Sequence, residues 1–142
     1  MRTVYIELHA HTAYSFHDGV SHPDELAGAA AQFGYSAMAV TDHDGVYSAM
    51  EWAQACIPLG IKPIHGAEIT LDDGHHLTLI VENREGWASL CHLLTQAHAE
   101  TRSQDAARTA HQPQLSLNEV LNHSEGLICL SGCAARGAVA GR

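Results

Sequence analysis

Residues 3–8 alternate β-branched or aromatic side chains with polar ones, the period of a short strand that would deliver His9 and His11 at its carboxyl end. After a loop, Ser21-His22-Pro23-Asp24-Glu25 has the marks of a helix start, with Ser21 as N-cap and acids in the first turn. An alanine-rich stretch follows and closes at Gly34. Residues 35–41 form an apolar run suited to a buried parallel strand, and the run ends in Asp42-His43. The helical period returns from about 47 to 59, with Gly60 as the stop. Residues 61–71 read as a strand carrying His65 and Glu68, Asp72-Asp73-Gly74 as a turn, and residues 76–81 as a second strand. A helix is expected over about 85–100, and an exposed loop over 101–114, where order-promoting residues are few. A short helix at 117–122, a buried strand at 127–130 and the start of another helix at 134–142 complete the pattern.

Strands alternating with helices predict a parallel α/β architecture, in which functional residues collect where strands end and loops begin. The chain has 142 residues, enough for one ordinary core but short of a full eight-stranded barrel, so it is expected to be one domain or part of one. Composition, 46% hydrophobic and 16% charged, is that of a folded globular chain. No apolar run has the length of a membrane span, and the first residues lack the apolar core of a signal peptide, so a cytoplasmic protein with no membrane partner is expected. Four cysteines stand far apart with no CxxC pair, which predicts reduced thiols rather than a disulfide framework or a zinc knuckle.

Charge and histidine content sharpen the picture. A formal charge of -9 with seven Lys and Arg argues against a surface that holds nucleic acid by neutralising phosphates. Twelve histidines are the compositional anomaly, and histidine is the commonest protein ligand of metals. In His9-Ala10-His11 the two imidazoles share one strand face and can reach one ion or two adjacent ions. Asp18-Gly19 also fits a plain turn, and Asp42 also fits a cap for the helix after it, with His43 merely exposed. His9, His11, Asp42, His43 and Cys133 nevertheless all fall at or just past predicted strand ends, where separate segments converge on one rim. A mixed imidazole, carboxylate and thiolate set suits Zn²⁺ or Mn²⁺ better than Ca²⁺ or Mg²⁺ alone.

His9-Ala10-His11-Thr12, Ser15 and Asp18-Gly19 resemble the first motif of PHP domains, H-x-H-[ST]-x-x-S-x-x-D-G. Thr41-Asp42-His43 resembles the second motif, and residues 60–68 resemble the third, with Glu68 in the place of a glutamate that bridges metals in that family. The run His76-Leu77-Thr78-Leu79-Ile80, Asn83, Gly86-Trp87, Leu90 and Leu93-Leu94 is similar to the polymerase type of PHP domain, as is Leu130-Ser131-Gly132-Cys133. The resemblance is to the start of bacterial DNA polymerase III alpha-type polymerases, leaning to the error-prone kind through the stretches at 76–79 and 91–94 and through His98.

That resemblance implies a partial PHP-type distorted (β/α)7 barrel, incomplete at its C-terminus, that occupies residues 1–142. It implies metal ligands at His9, His11, Asp18, His43, Glu68, His98 and Cys133, with Asp42 orienting a ligand and His76 supporting the core or a ligand rather than binding metal. His65 stands where the family has an apolar residue and is left out of the site, while His17, His22, His75, His92, His111 and His123 are expected to face solvent or pack locally. The family completes its cluster of up to three divalent ions with a late D-x-H motif that is absent after Cys133. The implied whole protein is a DNA-directed DNA polymerase acting in replication and repair. DNA would be bound through a polymerase region outside this chain, and replication or mutagenesis accessory proteins would be partners. The segment itself is limited to a metal-dependent phosphoesterase or 3′ to 5′ exonuclease activity. The alternatives are a free-standing phosphatase of the histidinol-phosphatase type and a non-catalytic module that braces the polymerase.

Overall fold

A computed structural model describes residues 5–101, 111–132 and 136–139. The chain divides into two compact units, residues 1–67 and 68–142, and the division falls inside a strand.

In the first unit, α1 (Pro23–Gln32) has His22 as its N-cap, one residue later than the expected Ser21. Glu25 explains the shift: its carboxylate accepts the His22 amide at 2.8 Å, closing the first turn around the proline. Gly34, with φ of 73°, turns the chain out of the helix. Strand β1 (Ala37–His43) is buried along almost its whole length, as an apolar run should be. Helix α2 (Ala49–Cys56) passes into a single 3₁₀ turn, Ile57–Leu59, and stops at Gly60 in the left-handed region. Ala27 and Ala30 of α1, Met38 and Val40 of β1, and Trp52 and Cys56 of α2 form the core with Ile61. Small side chains on α1 let it lie close to α2, where the indole of Trp52 fills the space.

Residues 5–8 carry no assigned strand, although the carbonyls of Glu7 and Ala10 accept the Ala39 and Thr41 amides at 2.8 Å each. The segment therefore lies along β1 with alternate pairing, while Thr3 and Val4 of the expected strand fall outside the described residues.

Strand β2 (Lys62–Thr70) runs across the division between the units. In the second unit, β3 (His76–Val81) follows a turn in which the Leu71 amide bonds the His75 carbonyl. Asn83 caps α3 (Arg84–Ala97), accepting the Gly86 amide at 3.0 Å. Ser116 and Glu119 form a reciprocal capping box for α4 (Leu117–Asn122), and β4 (Leu127–Leu130) pairs antiparallel with β3. Leu90, Leu93 and Leu94 of α3 are buried, as are Leu77, Leu79 and Ile80 of β3.

Three expectations need correction. The sheet, in the order β1-β2-β3-β4, is mixed and open rather than all parallel. A turn as short as residues 72–74 joins antiparallel neighbours, whereas a parallel pair needs a long crossover. Second, β4 is half exposed, because it ends the strand order and has β3 as its one neighbour. Third, no helix begins at residues 136–139. Gly137 bridges to His76, and His76 donates to the Arg136 carbonyl and accepts from Ala138, so this stretch extends pairing instead. Helix α3 also ends at Ala97, before the expected Glu100, and most of the expected 101–114 loop lies outside the described residues.

One substitution and one chemical probe test this packing. A Cβ at Gly86 would stand 1.8 Å from the Gly126 carbonyl oxygen, so Gly86→Ala is expected to cost roughly 1–3 kcal/mol in chemical denaturation. Burial pushes the Cys56 thiol up to about 11, so Cys56 should resist alkylation at pH 8 in the native chain and react on unfolding. Mass mapping of the alkylated cysteines reads this directly.

Candidate metal centre

Asp42, the penultimate residue of β1, is 1% exposed. Burying a carboxylate is costly unless its lone pairs find donors. Here the Thr12 amide donates at 2.8 Å, the Thr12 hydroxyl reaches both oxygens at 2.9 and 3.0 Å, and the Ser15 hydroxyl donates at 2.8 Å. The Ser48 hydroxyl completes the shell. Asp42 thus does not cap α2; the cap position belongs to Ser48, whose hydroxyl serves Asp42. Ser15 Oγ in turn accepts the His43 amide at 3.0 Å, so one carboxylate fixes both the segment after His11 and the backbone of His43.

The loop folds back on itself from this anchor. The Asp18 and Gly19 amides donate to the Ser15 carbonyl at 3.0 and 2.8 Å. Gly19 is required by close approach, since a Cβ there would stand 1.8 Å from the Thr12 carbonyl oxygen. Upstream, Glu7 accepts the His9 and Leu8 amides and the Tyr5 hydroxyl. Burial opposes ionisation of Glu7, but these hydrogen bonds outweigh it and hold its carboxyl below the usual value.

Three half-buried imidazoles converge as a result. The ring centroids of His9 and His11 are 5.2 Å apart, and those of His11 and His43 are 5.4 Å apart. His43 Nε2 lies 3.9 Å from Asp18 Oδ2, and its Nδ1 lies 3.4 Å from Asp44 Oδ2, a placement that orients the ring. Two non-glycine residues beside these ligand types, His17 and Asp44, have φ of 73° and 47°. His9, His11 and Asp18 line a cleft of about 250 Å³ with Gly19, Val20 and Leu26.

Glu68, on β2, is 3% exposed and lies 2.7 Å from His76 Nδ1. His9, His11 and His43 thus supply neighbouring imidazoles within the first unit, and Glu68 and His76 supply a carboxylate–imidazole pair within the second. The donor chemistry fits a divalent metal: two nitrogens on one tetrahedral zinc are about 3.4 Å apart, within reach of small side-chain adjustments. Imidazole with carboxylate suits Zn²⁺ or Mn²⁺.

The expected ligands are thus unevenly placed. In the first unit His9, His11 and His43 lie together, and Asp18 approaches His43. In the second unit Glu68 bonds His76 and His98 is the C-cap of α3, while Cys133 lies outside the described residues. Burial pushes the His65 imidazole down toward the neutral form. Sequence reasoning missed Ser48 and Asp44. Asp44 had a signal, since it follows His43 directly, but nothing in the spacing of Ser48 marks it as a partner of Asp42.

An α/β chain that gathers histidines and carboxylates near strand ends has the donor types of a divalent-metal protein. The PHP domain model matches residues 7–141, and the chain belongs to that family. It matches the N-terminal region of polymerases. An error-prone DNA polymerase of Symbiobacterium thermophilum is 41% identical over 138 residues, covering 91% of this chain and 13% of the relative. DNA polymerase III subunit alpha of Chlamydia pneumoniae is 33% identical over 143 residues, covering 91% and 11%. The chain therefore spans about a tenth of the length of these relatives. Among solved structures, an amidohydrolase of Chromobacterium violaceum with bound sulfate is similar at TM-score 0.54 and 29% identity, over 66% of this chain and 33% of the other. A two-domain Bacteroides vulgatus protein containing a predicted PHP-like metal-dependent phosphoesterase shares the fold at TM-score 0.56 and 17% identity, over 94% and 37%. No helix among the described residues is long and apolar enough to cross a membrane.

Replacing Asp42 strands one buried amide and up to three hydroxyls. Asp42→Ala is expected to cost at least about 2 kcal/mol, more than Asp42→Asn, as read by urea unfolding.

Proposed function

We propose that this chain is the metal-binding PHP domain of a DNA polymerase, of the error-prone kind or a replicative alpha subunit, and that its site hydrolyses phosphoesters. The observation that carries this reading is the convergence of His9, His11 and His43 within one anchored loop-and-strand unit. His9, His11, Asp18, His43 and Glu68 are the proposed ligands of Zn²⁺ or Mn²⁺, with His98 and Cys133 as further candidates. A complete site would hold up to three ions in a distorted barrel.

Divalent metals bound there would neutralise phosphate oxygens and lower the pKa of a water, supplying the nucleophile at neutral pH. The chain's own residues prepare that chemistry. Asp42 holds Thr12 and Ser15, and so the loop between His11 and Asp18; Asp44 orients His43; and His76 holds Glu68 through one oxygen. A hydrolytic step at a DNA end fits the polymerase relatives, with the strand held by regions of the whole protein outside this chain. Polymerisation, accessory partners and a cytoplasmic setting belong to that whole protein.

The test is metal content together with cleavage. Purified chain loaded with Mn²⁺ or Zn²⁺ should retain metal after desalting and release nucleotides from a single-stranded 3′ end. The double variant His9→Ala, His11→Ala should lose both, with Mn²⁺ affinity down at least about tenfold. Retained metal without cleavage of any phosphoester would leave the bracing role alone. Cleavage of a small phosphate monoester in preference to DNA would favour the free-standing phosphatase.

A further inference from the structure

The loop between His11 and Asp18 has a feature that metal binding does not use. Phe16 is 81% exposed at its tip, and Val20, which lines the cleft with His9 and His11, is 89% exposed. The tip is not a loose end. Ser15 is tied to Asp42 on one side, and the Asp18 and Gly19 amides bond the Ser15 carbonyl on the other. Between them His17 sits at φ of 73°, a left-handed conformation that is unfavourable for a non-glycine residue and that the surrounding bonds sustain. A large aromatic ring is therefore presented to water on a pinned, strained turn, two residues from Asp18.

Charge limits what such a ring can meet. The chain is at -9, and none of the described cations, Lys62, Arg84 and Arg136, lines the cleft. A polyphosphate strand meets no Lys or Arg among the described residues of this cleft. A metal bound there would take one phosphate, and a neutral, flat group beside it would supply further affinity. A nucleobase next to the scissile phosphate has that character, since every base offers a face for stacking and the gain does not depend on cations.

We propose that Phe16 stacks on the unpaired terminal base of a single-stranded 3′ end, making it a specificity residue that selects nucleotides over small phosphate esters. The inference rests on the phosphoester reading given above. In its test the 142-residue chain with Mn²⁺ is titrated with a short single-stranded oligonucleotide carrying 2-aminopurine at its 3′ end, and separately with inorganic phosphate. Stacking should quench the fluorophore. Phe16→Ala and Phe16→Leu should each weaken oligonucleotide binding about tenfold, and Phe16→Tyr should keep it. Wild-type chain should bind an oligonucleotide with an abasic 3′ end as weakly as Phe16→Ala binds the intact one. Phosphate affinity should be the same in all four proteins.

Equal oligonucleotide affinity in wild type and Phe16→Ala would overturn the proposal, as would full affinity in Phe16→Leu, which would make the contact apolar bulk rather than stacking. Loss of phosphate binding in Phe16→Ala would also overturn it, by making Phe16 a prop of the loop. If neither phosphate nor oligonucleotide binds the metal-loaded wild type, the phosphoester reading itself fails. If phosphate binds and the oligonucleotide binds no more tightly, only the stacking inference fails.

Discussion

One buried carboxylate organises the first half of this protein. Asp42 has left water, and an ionised carboxylate in that position is tolerable only with its lone pairs occupied. Thr12, Ser15 and Ser48 occupy them, and these residues come from a loop and from the start of α2 rather than from β1 itself. Satisfying Asp42 therefore fixes where the loop after His11 runs, and the bond from the His43 amide to Ser15 ties the third imidazole to the same network. The positions of three histidines follow from the solvation needs of one acid.

Glu68 shows the same economy in the second unit. It is as buried as a core leucine, and His76, two residues beyond the turn, is its hydrogen-bond partner. The hydrogen bond to His76 Nδ1 fixes the orientation of the Glu68 carboxylate. Both acids are held by neighbours rather than by solvent, so each keeps a defined orientation that a loosely tethered surface group would lack.

Much of this was legible in the residues. The pattern marked β3, α4 and β4 with their observed bounds, and it placed β1 and α2 to within two or three residues, because each is bracketed by a glycine or a cap. The histidines stood out by number and by spacing. Strand direction was harder, since an apolar run such as residues 127–130 looks alike whether it enters a sheet parallel or antiparallel, or at its edge. The Asp42 shell was legible only in part: Thr12 and Ser15 belong to a recognisable motif, whereas Ser48 enters through tertiary packing that leaves no periodic trace. Residues 136–139 were misread because a small-residue stretch resembles a helix start until its pairing partner, His76, is known.

The central claim is that Asp42 forms the site before any metal arrives. Amide hydrogen exchange on the metal-free chain tests it at two positions, Thr12 and His43, whose N–H groups end on Asp42 and on Ser15. Protection of both amides close to that of the buried β1 strand, in the absence of any divalent ion, is the predicted result. Exchange at the rate of an open loop, with protection appearing only when Mn²⁺ or Zn²⁺ is added, would mean that the metal builds the site and would contradict the account.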